Sequence, residues 1–194
     1  MFGLSRWAGG LVARYGSRLP LTVGPLVAAC GMALFAMVAQ GGSYWTTFLP
    51  AVVVMGVGMA ISVAPLTTTV MNAVPESESG VASGINNAVS RLASLLAVAV
   101  FGAILVMVFN HSLDQALLPL ALTPADGAQV EAARPLLAAA HHPNPLVQRA
   151  ISEAFVRGYR CVIWIATALA AVSAITARLL IKPGAPTALK RVSS

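Results

Sequence analysis

The side chains that can carry chemistry lie outside the long apolar segments of this sequence. The two adjacent histidines, His141 and His142, have no third ligand at a useful spacing, so they are interpreted as solvated loop residues rather than a metal site. The sequence contains no Ser/His/Asp or Cys/His arrangement, no HExxH and no glycine-rich phosphate loop. We therefore predict no catalytic residue, no metal and no cofactor. The acidic residues number six: Glu76, Glu78, Asp114, Asp126, Glu131 and Glu153.

Neutral polar residues flank two of the apolar segments. Polar groups in such places either satisfy one another by hydrogen bonds between helices or line a water-filled cavity, and both interpretations stay open. If they line a cavity, the candidates for substrate contact are Thr68, Met71, Asn72, Asn86 and Asn87.

Arg91 is the one charge that falls within an apolar segment. It is interpreted as a structural charge rather than a gating residue, and Glu76 and Glu78 lie on the same side, where they can neutralise it.

A run without any charged side chain, residues 19–75, decides the class of protein. Only residues 40–43 (Gln-Gly-Gly-Ser) interrupt it, and a bilayer needs about 20 mostly apolar residues for each spanning helix. The whole chain is 58% hydrophobic and 9% charged, with a mean hydropathy of +0.82, whereas a soluble domain is about 25% charged. These values predict a membrane protein.

The predicted fold is an all-α, polytopic bundle of about four transmembrane helices. Residues 110–160 are predicted to form an extracytoplasmic loop. Within it, short amphipathic helices over 125–134 and 146–157 are predicted to lie on the outer membrane surface. The predicted organisation is the end of a preceding helix and a cytoplasmic loop over 1–18, three spans over 19–109, this loop, a last span over 161–181 and a cytoplasmic tail over 182–194.

The basic residues indicate the orientation of the spans. The net charge is +6, but the arginines sit beside the ends of apolar segments and form no basic face, which argues against nucleic-acid binding. With alternating spans, eight of them fall on one side, so both termini are predicted to be cytoplasmic: Arg6, Arg14, Arg18, Arg91, Arg178, Lys182, Lys190 and Arg191.

Small residues recur every fourth position in two of the spans. Helices in lipid associate through small residues that let their backbones approach, so these positions predict two close packing faces. The alternative is that small residues are simply common in such helices. The predicted faces consist of Gly56, Ala60 and Ala64 in one span and Gly80, Gly84 and Ala88 in the next.

Two stretches of the sequence resemble a known family of transporters. Residues 9–18, with Gly9, Arg14, Gly16 and Arg18, resemble the loop that joins consecutive helices on the cytoplasmic side of the major facilitator superfamily, although Ala13 stands where that family often has Asp. Residues 56–60, 65–75 and 80–87 resemble its fourteen-helix drug:proton antiporters.

The resemblance implies the last four helices of such a transporter, in a bacterial inner membrane. The complete protein would export small organic compounds by alternating access against proton influx, and this portion would be inactive without the N-terminal half, which holds most of the proton-coupling acids. The implied partners are the bilayer, that missing half or another membrane protein, and a small organic substrate.

Two alternatives follow from other classes of function. A small autonomous membrane protein could pack against another transporter through the face at Gly56. An integral membrane enzyme would need a catalytic group that the sequence lacks.

Overall fold

The computed structural model describes residues 18–37, 44–71, 74–120 and 122–181. All regular structure in these ranges is helical, which confirms the predicted all-α class. The elements are α1 (Arg18–Met37), a π-helical turn (Tyr44–Phe48) that continues into α2 (Leu49–Met71), a 3-10 turn (Glu76–Glu78) that leads into α3 (Ser79–Leu117), α4 (Pro124–Ala133), a 3-10 helix (Arg134–Ala139) and α5 (Pro145–Leu180).

Four helical segments of the described chain are long and apolar enough to cross a membrane: Arg18–Met37, Tyr44–Met71, Glu76–Leu117 and Pro145–Leu180. This number is the one predicted from the sequence. The predicted turn at residues 40–43 and the terminal segments 1–17 and 182–194 lie outside the described residues.

Helices α3 and α5 are longer than the sequence led us to expect. They contain 39 and 36 residues, about 58 and 54 Å at 1.5 Å per residue, whereas the hydrocarbon core of a bilayer is about 30 Å thick. The span predicted to end near Phe109 continues to Leu117. The segment 146–157, predicted as a separate short helix, is continuous with the last span, because no proline follows Pro145 within α5.

The chain divides into two compact units, and the first contains the pair α1 and α2. A Cβ atom built on Gly58 would lie 2.7 Å from the carbonyl oxygen of Gly24 and 2.7 Å from Cα of Ala28. One built on Gly31 would lie 2.5 Å from the backbone nitrogen of Met55. The two antiparallel backbones therefore touch along a line of small residues, as expected of helices that pack in lipid.

Proline 65 lies inside α2 and is fully buried. A proline within a helix leaves the carbonyl four residues earlier, here that of Ile61, without its amide partner, a loss that membrane helices tolerate. The hydroxyls of Thr69 and Ser62 donate hydrogen bonds to the carbonyl oxygens of Pro65 (2.7 Å) and Gly58 (2.8 Å). These bonds give the hydroxyl groups of Thr69 and Ser62 hydrogen-bond acceptors within α2 itself.

The second unit, residues 92–163, has a hydrophobic core of its own. Its fully buried side chains include Phe109 and Leu113 of α3, Val130 of α4, and Val147 and Ile151 of α5. We call the part built around this core the cap: residues 109–117 of α3, α4, the 3-10 helix Arg134–Ala139 and residues 145–154 of α5.

Below the cap, α3 and α5 approach closely at Gly158. A Cβ atom there would lie 3.1 Å from the carbonyl oxygen of Leu105 and 3.6 Å from the backbone nitrogen of Phe109. A glycine at this position therefore sets the spacing of the two helices.

Candidate functional site

Of the four residues singled out in the predicted cytoplasmic loop, the structure describes Arg18; Gly9, Arg14 and Gly16 lie outside the described residues. Its guanidinium donates two hydrogen bonds to the carbonyl oxygen of Arg178, from Nε at 3.1 Å and from Nη2 at 2.6 Å. This carbonyl belongs to the last turn of α5, where carbonyls lack helical partners and the helix dipole favours a cation. Arg18 thus ties the beginning of α1 to the end of α5.

The candidate substrate-contact residues occupy the end of α2 and the beginning of α3. Thr68 is exposed and Met71 half-buried at the end of α2, whereas Asn72 lies outside the described residues. Asn86 is half-buried and Asn87 exposed in the first turns of α3. Their role in substrate contact stays a prediction.

Arg91 lies one helical turn beyond Asn87 and is exposed. Among the described residues no ion pair involves Arg91, and Glu76 and Glu78 are exposed in the 3-10 turn that precedes α3. The neutralisation of Arg91 by these two glutamates, which the sequence suggested, is therefore not seen as a contact.

The packing faces predicted from small residues point away from the other described helices of the chain. No atom of the described neighbours lies within 4 Å of a Cβ built on Gly56, Gly80 or Gly84. Ala60 is half-buried and Ala88 exposed, and the side chain of Ala64 is outside the described part of the chain. A role for these faces in packing remains a prediction about helices beyond α1–α5.

The close α1–α2 contact uses other glycines. Gly24 in α1 meets Gly58 in α2, two positions from the predicted Gly56. Gly31 in α1 meets the backbone of Met55. The signal was present in the sequence, since Gly24, Ala28 and Gly31 recur at helical spacing.

An ion-pair network holds the cap together at Arg134. Its Nη2 donates to Asp114 at the end of α3, and its Nε lies 2.8 Å from Oε2 of Glu131 in α4. Partial burial by itself lowers the pKa of Arg134, but the hydrogen bonds and charges of Glu131 and Asp114 outweigh that effect and raise it above the ordinary arginine value. Arg134 therefore stays charged and joins α3 to α4.

The interpretation of His142 as a solvated loop residue is wrong. Its side chain is 1% exposed, and its Nδ1 accepts a hydrogen bond from the backbone N–H of Asn144 at 3.1 Å. The backbone N–H of His142 donates to Oε1 of Gln148 at 2.8 Å, so the loop folds onto α5. His141 is exposed, and the described residues contain no group of three or more side chains able to hold a metal ion.

Comparison with known sequences identifies the family. Residues 1–112 match the sequence profile of the Major Facilitator Superfamily, which covers more than half of the chain. The chain belongs to the Major Facilitator Superfamily. Members of this superfamily are membrane transporters, and the four apolar helices of this member make it a multi-pass membrane protein.

Two curated relatives in this superfamily are similar to part of the chain. Both are "Multidrug resistance protein Stp" of Mycobacterium tuberculosis, from strain CDC 1551 / Oshkosh and from strain ATCC 25618 / H37Rv. Each is 31% identical over 111 residues, which is 57% of this chain and 20% of the relative. The matched stretch thus spans about a fifth of the length of these relatives.

Proposed function

We propose that this chain supplies four transmembrane helices, the C-terminal portion, of a transporter that exports small organic compounds. The observation that carries the proposal is the match to a multidrug resistance protein within the superfamily. Because the matched stretch covers only 20% of that relative, the remaining helices of the transporter are expected to lie outside this chain.

The exposure of the helices supports the need for further helices. Within the apolar window of the α3 span only 6% is buried inside the chain, against 44% for the α1 span. The first turns of α3 also carry polar side chains, which are costly to leave in contact with lipid. Packing of additional helices against α3 would cover both its glycines and part of its polar surface.

We assign the coupling of export to proton influx to the helices of the transporter that lie outside this chain. A proton-coupled carrier needs a titratable group within the membrane. The acidic residues nearest to the apolar parts of this chain are Glu78, Asp114 and Glu153, and all three lie toward helix ends. We therefore expect this portion to move with the alternating-access cycle without binding the coupling proton.

The proposed orientation places both termini in the cytoplasm of a bacterial cell, with the chain in the inner membrane. Basic residues cluster before α1 and after α5, as the positive-inside rule requires. The cap, in which Arg134 pairs with Asp114 and Glu131, then lies on the outer side of the membrane.

Transport of a fluorescent lipophilic dye in energised inside-out vesicles tests the proposal. Vesicles with the complete transporter are expected to move the dye against its gradient, and vesicles with residues 1–194 alone are not. Arg18→Gln in the complete transporter should slow transport, with Arg149→Gln in the exposed Arg149–Glu153 pair as the matched control. Dye movement by residues 1–194 alone contradicts the proposal, and co-purification with an unrelated intact transporter would favour the autonomous partner.

A further inference from the structure

The first three turns of α3 have one polar side. We call its members the polar stripe: Ser79, Ser83, Asn86, Asn87 and Ser90. Successive members are separated by three or four residues, or are neighbours at 86 and 87, and such residues share one side of a helix. Asn87 and Ser90 are exposed, and the other three are half-buried.

Two other sides of the same turns have different chemistry. Gly80, Gly84 and Ala88, four residues apart, form a side of small residues, and nothing lies within 4 Å of a Cβ built on either glycine. Val81, Ile85 and Val89 form a bulky apolar side whose side chains are 66%, 60% and 60% exposed.

Each of these sides suits a different neighbour. The small side allows close approach of a helix, and the bulky side suits lipid. The polar stripe is not needed for either contact, and leaving it in hydrocarbon is costly. The Ser90 hydroxyl donates to the Asn86 carbonyl at 2.7 Å, but the amide of Asn87 has two donors and an acceptor to satisfy.

Arg91 adds a charge at the edge of the polar stripe. It is exposed one turn beyond Asn87. Glu78, the nearest acidic residue along the chain, precedes Asn87 by nine residues, about 13 Å along the helix, which exceeds the Debye length of about 8–10 Å at physiological salt. Arg91 is therefore the charge closest to Asn87 along α3, and it makes a positive contribution to the potential there.

We propose that the polar stripe lines a water-filled passage, open on the cytoplasmic side, that admits neutral or anionic compounds in preference to organic cations. This inference rests on the orientation given under the proposed function and names a part of the compound's path. Neutral amides and hydroxyls hydrogen-bond such compounds, and Arg91 attracts their negative charge.

Reaction of single cysteines with membrane-impermeant methanethiosulfonates tests the passage. In the complete protein with all native cysteines, Cys30 and Cys161 among them, replaced by serine, Asn87→Cys is compared with Val89→Cys on the bulky side of the same turn. In unenergised inside-out vesicles Asn87→Cys is expected to react at least tenfold faster. Equal rates at the two positions, whether fast or slow, overturn the proposal, because the turn is then wholly in water or wholly protected. Reaction of Asn87→Cys only from the outer face overturns the cytoplasmic opening.

The charge of the reagent tests the preference for anions. A positive unit charge about 6 Å away in water raises the local concentration of an anionic reagent roughly threefold and lowers that of a cationic reagent roughly threefold. When Arg91→Gln is added to Asn87→Cys, the ratio of the anionic to the cationic reaction rate should therefore fall about tenfold. Arg91→Lys should keep the ratio. An unchanged ratio with Arg91→Gln overturns the anion preference. Because the vesicles are not energised, a failure of export leaves these rates unaffected, and the two proposals fail separately.

Discussion

Single side chains in the cap and in the loop beside it have roles that the sequence does not reveal. His142 and Arg134 stand in a segment rich in proline and charge, which by itself is typical of a solvated loop. In the structure His142 is buried and Arg134 is half-buried. Arg134 pairs with Asp114 of α3, and the His142 ring accepts a hydrogen bond from Asn144 in its own loop. Their burial depends on long-range packing of α3, α4 and α5, which local sequence patterns do not contain.

Substitution of His142 should affect the loop through one hydrogen bond. His142→Phe keeps a ring of similar size but leaves the partly buried N–H of Asn144 without an acceptor, which costs about 1 kcal/mol. His142→Asn can place an oxygen where Nδ1 lies and should keep that bond. Hydrogen exchange at the Asn144 amide is expected to accelerate in His142→Phe and not in His142→Asn. Equal acceleration in both variants would show that ring packing, not the bond, holds the loop.

Substitution of Arg134 should weaken the cap in a salt-dependent way. Arg134→Gln removes the pairs with Asp114 and Glu131, whose carboxylates are 59% and 66% exposed, so the expected loss is only about 1 kcal/mol. Arg149→Gln, in a more exposed pair with Glu153, should cost less. Thermal unfolding at low and high salt measures both variants. Equal losses at the two positions would contradict a special role for Arg134.

The raised pKa of Arg134 also predicts how cap stability depends on pH. A basic group whose pKa is raised by folding stabilises the protein at every pH below its unfolded value, and loses that contribution only as pH rises through the folded value. Because both values are strongly alkaline, no loss of cap stability through Arg134 is expected between about pH 6 and pH 9. Unfolding curves across this range, compared with those of Arg134→Gln, measure the effect. A stability difference that shrinks within this range would contradict the assignment.

At the scale of helices, the contact between α1 and α2 depends on which glycine lies in it. Gly58→Leu would drive a side chain into the backbone of Gly24 and Ala28, and overpacking of this kind costs about 1–3 kcal/mol. Gly56→Leu meets open space within α1–α5 and is the matched control. Unfolding of the purified protein in mixed micelles with increasing SDS measures the difference. A larger loss for Gly56→Leu than for Gly58→Leu would place the decisive contact on the face predicted from sequence.

The helical fold and the number of spans could be predicted because hydropathy and charge act locally. The long uncharged run at residues 19–75 is sufficient to predict two membrane-crossing helices. The ends of α3 and α5 could not be placed, since polar helices outside the hydrocarbon lack an apolar signature. The sequence predicts Asp114 in a loop and Glu153 in a separate short helix, yet both lie within long continuous helices.

The candidate site was less predictable than the fold. Polar residues such as Asn87 could be selected from sequence because they interrupt apolar helices. The contact of Arg18 with the carbonyl of Arg178 joins residues 160 positions apart, and no local pattern specifies it. In the proposed transporter several helices would contribute to the substrate path, so local patterns in one of them do not specify a single compound.

At the scale of the whole molecule, the central claim is that these helices work as part of a larger transporter of the Major Facilitator Superfamily. An epitope tag placed after Ser194 at the native locus allows the apparent mass of the tagged membrane protein to be measured. The account predicts a band about three times heavier than 19.9 kDa, since the matched stretch is 57% of this chain but 20% of the multidrug resistance relatives. A stable tagged protein near 19.9 kDa, with no heavier band, would contradict it.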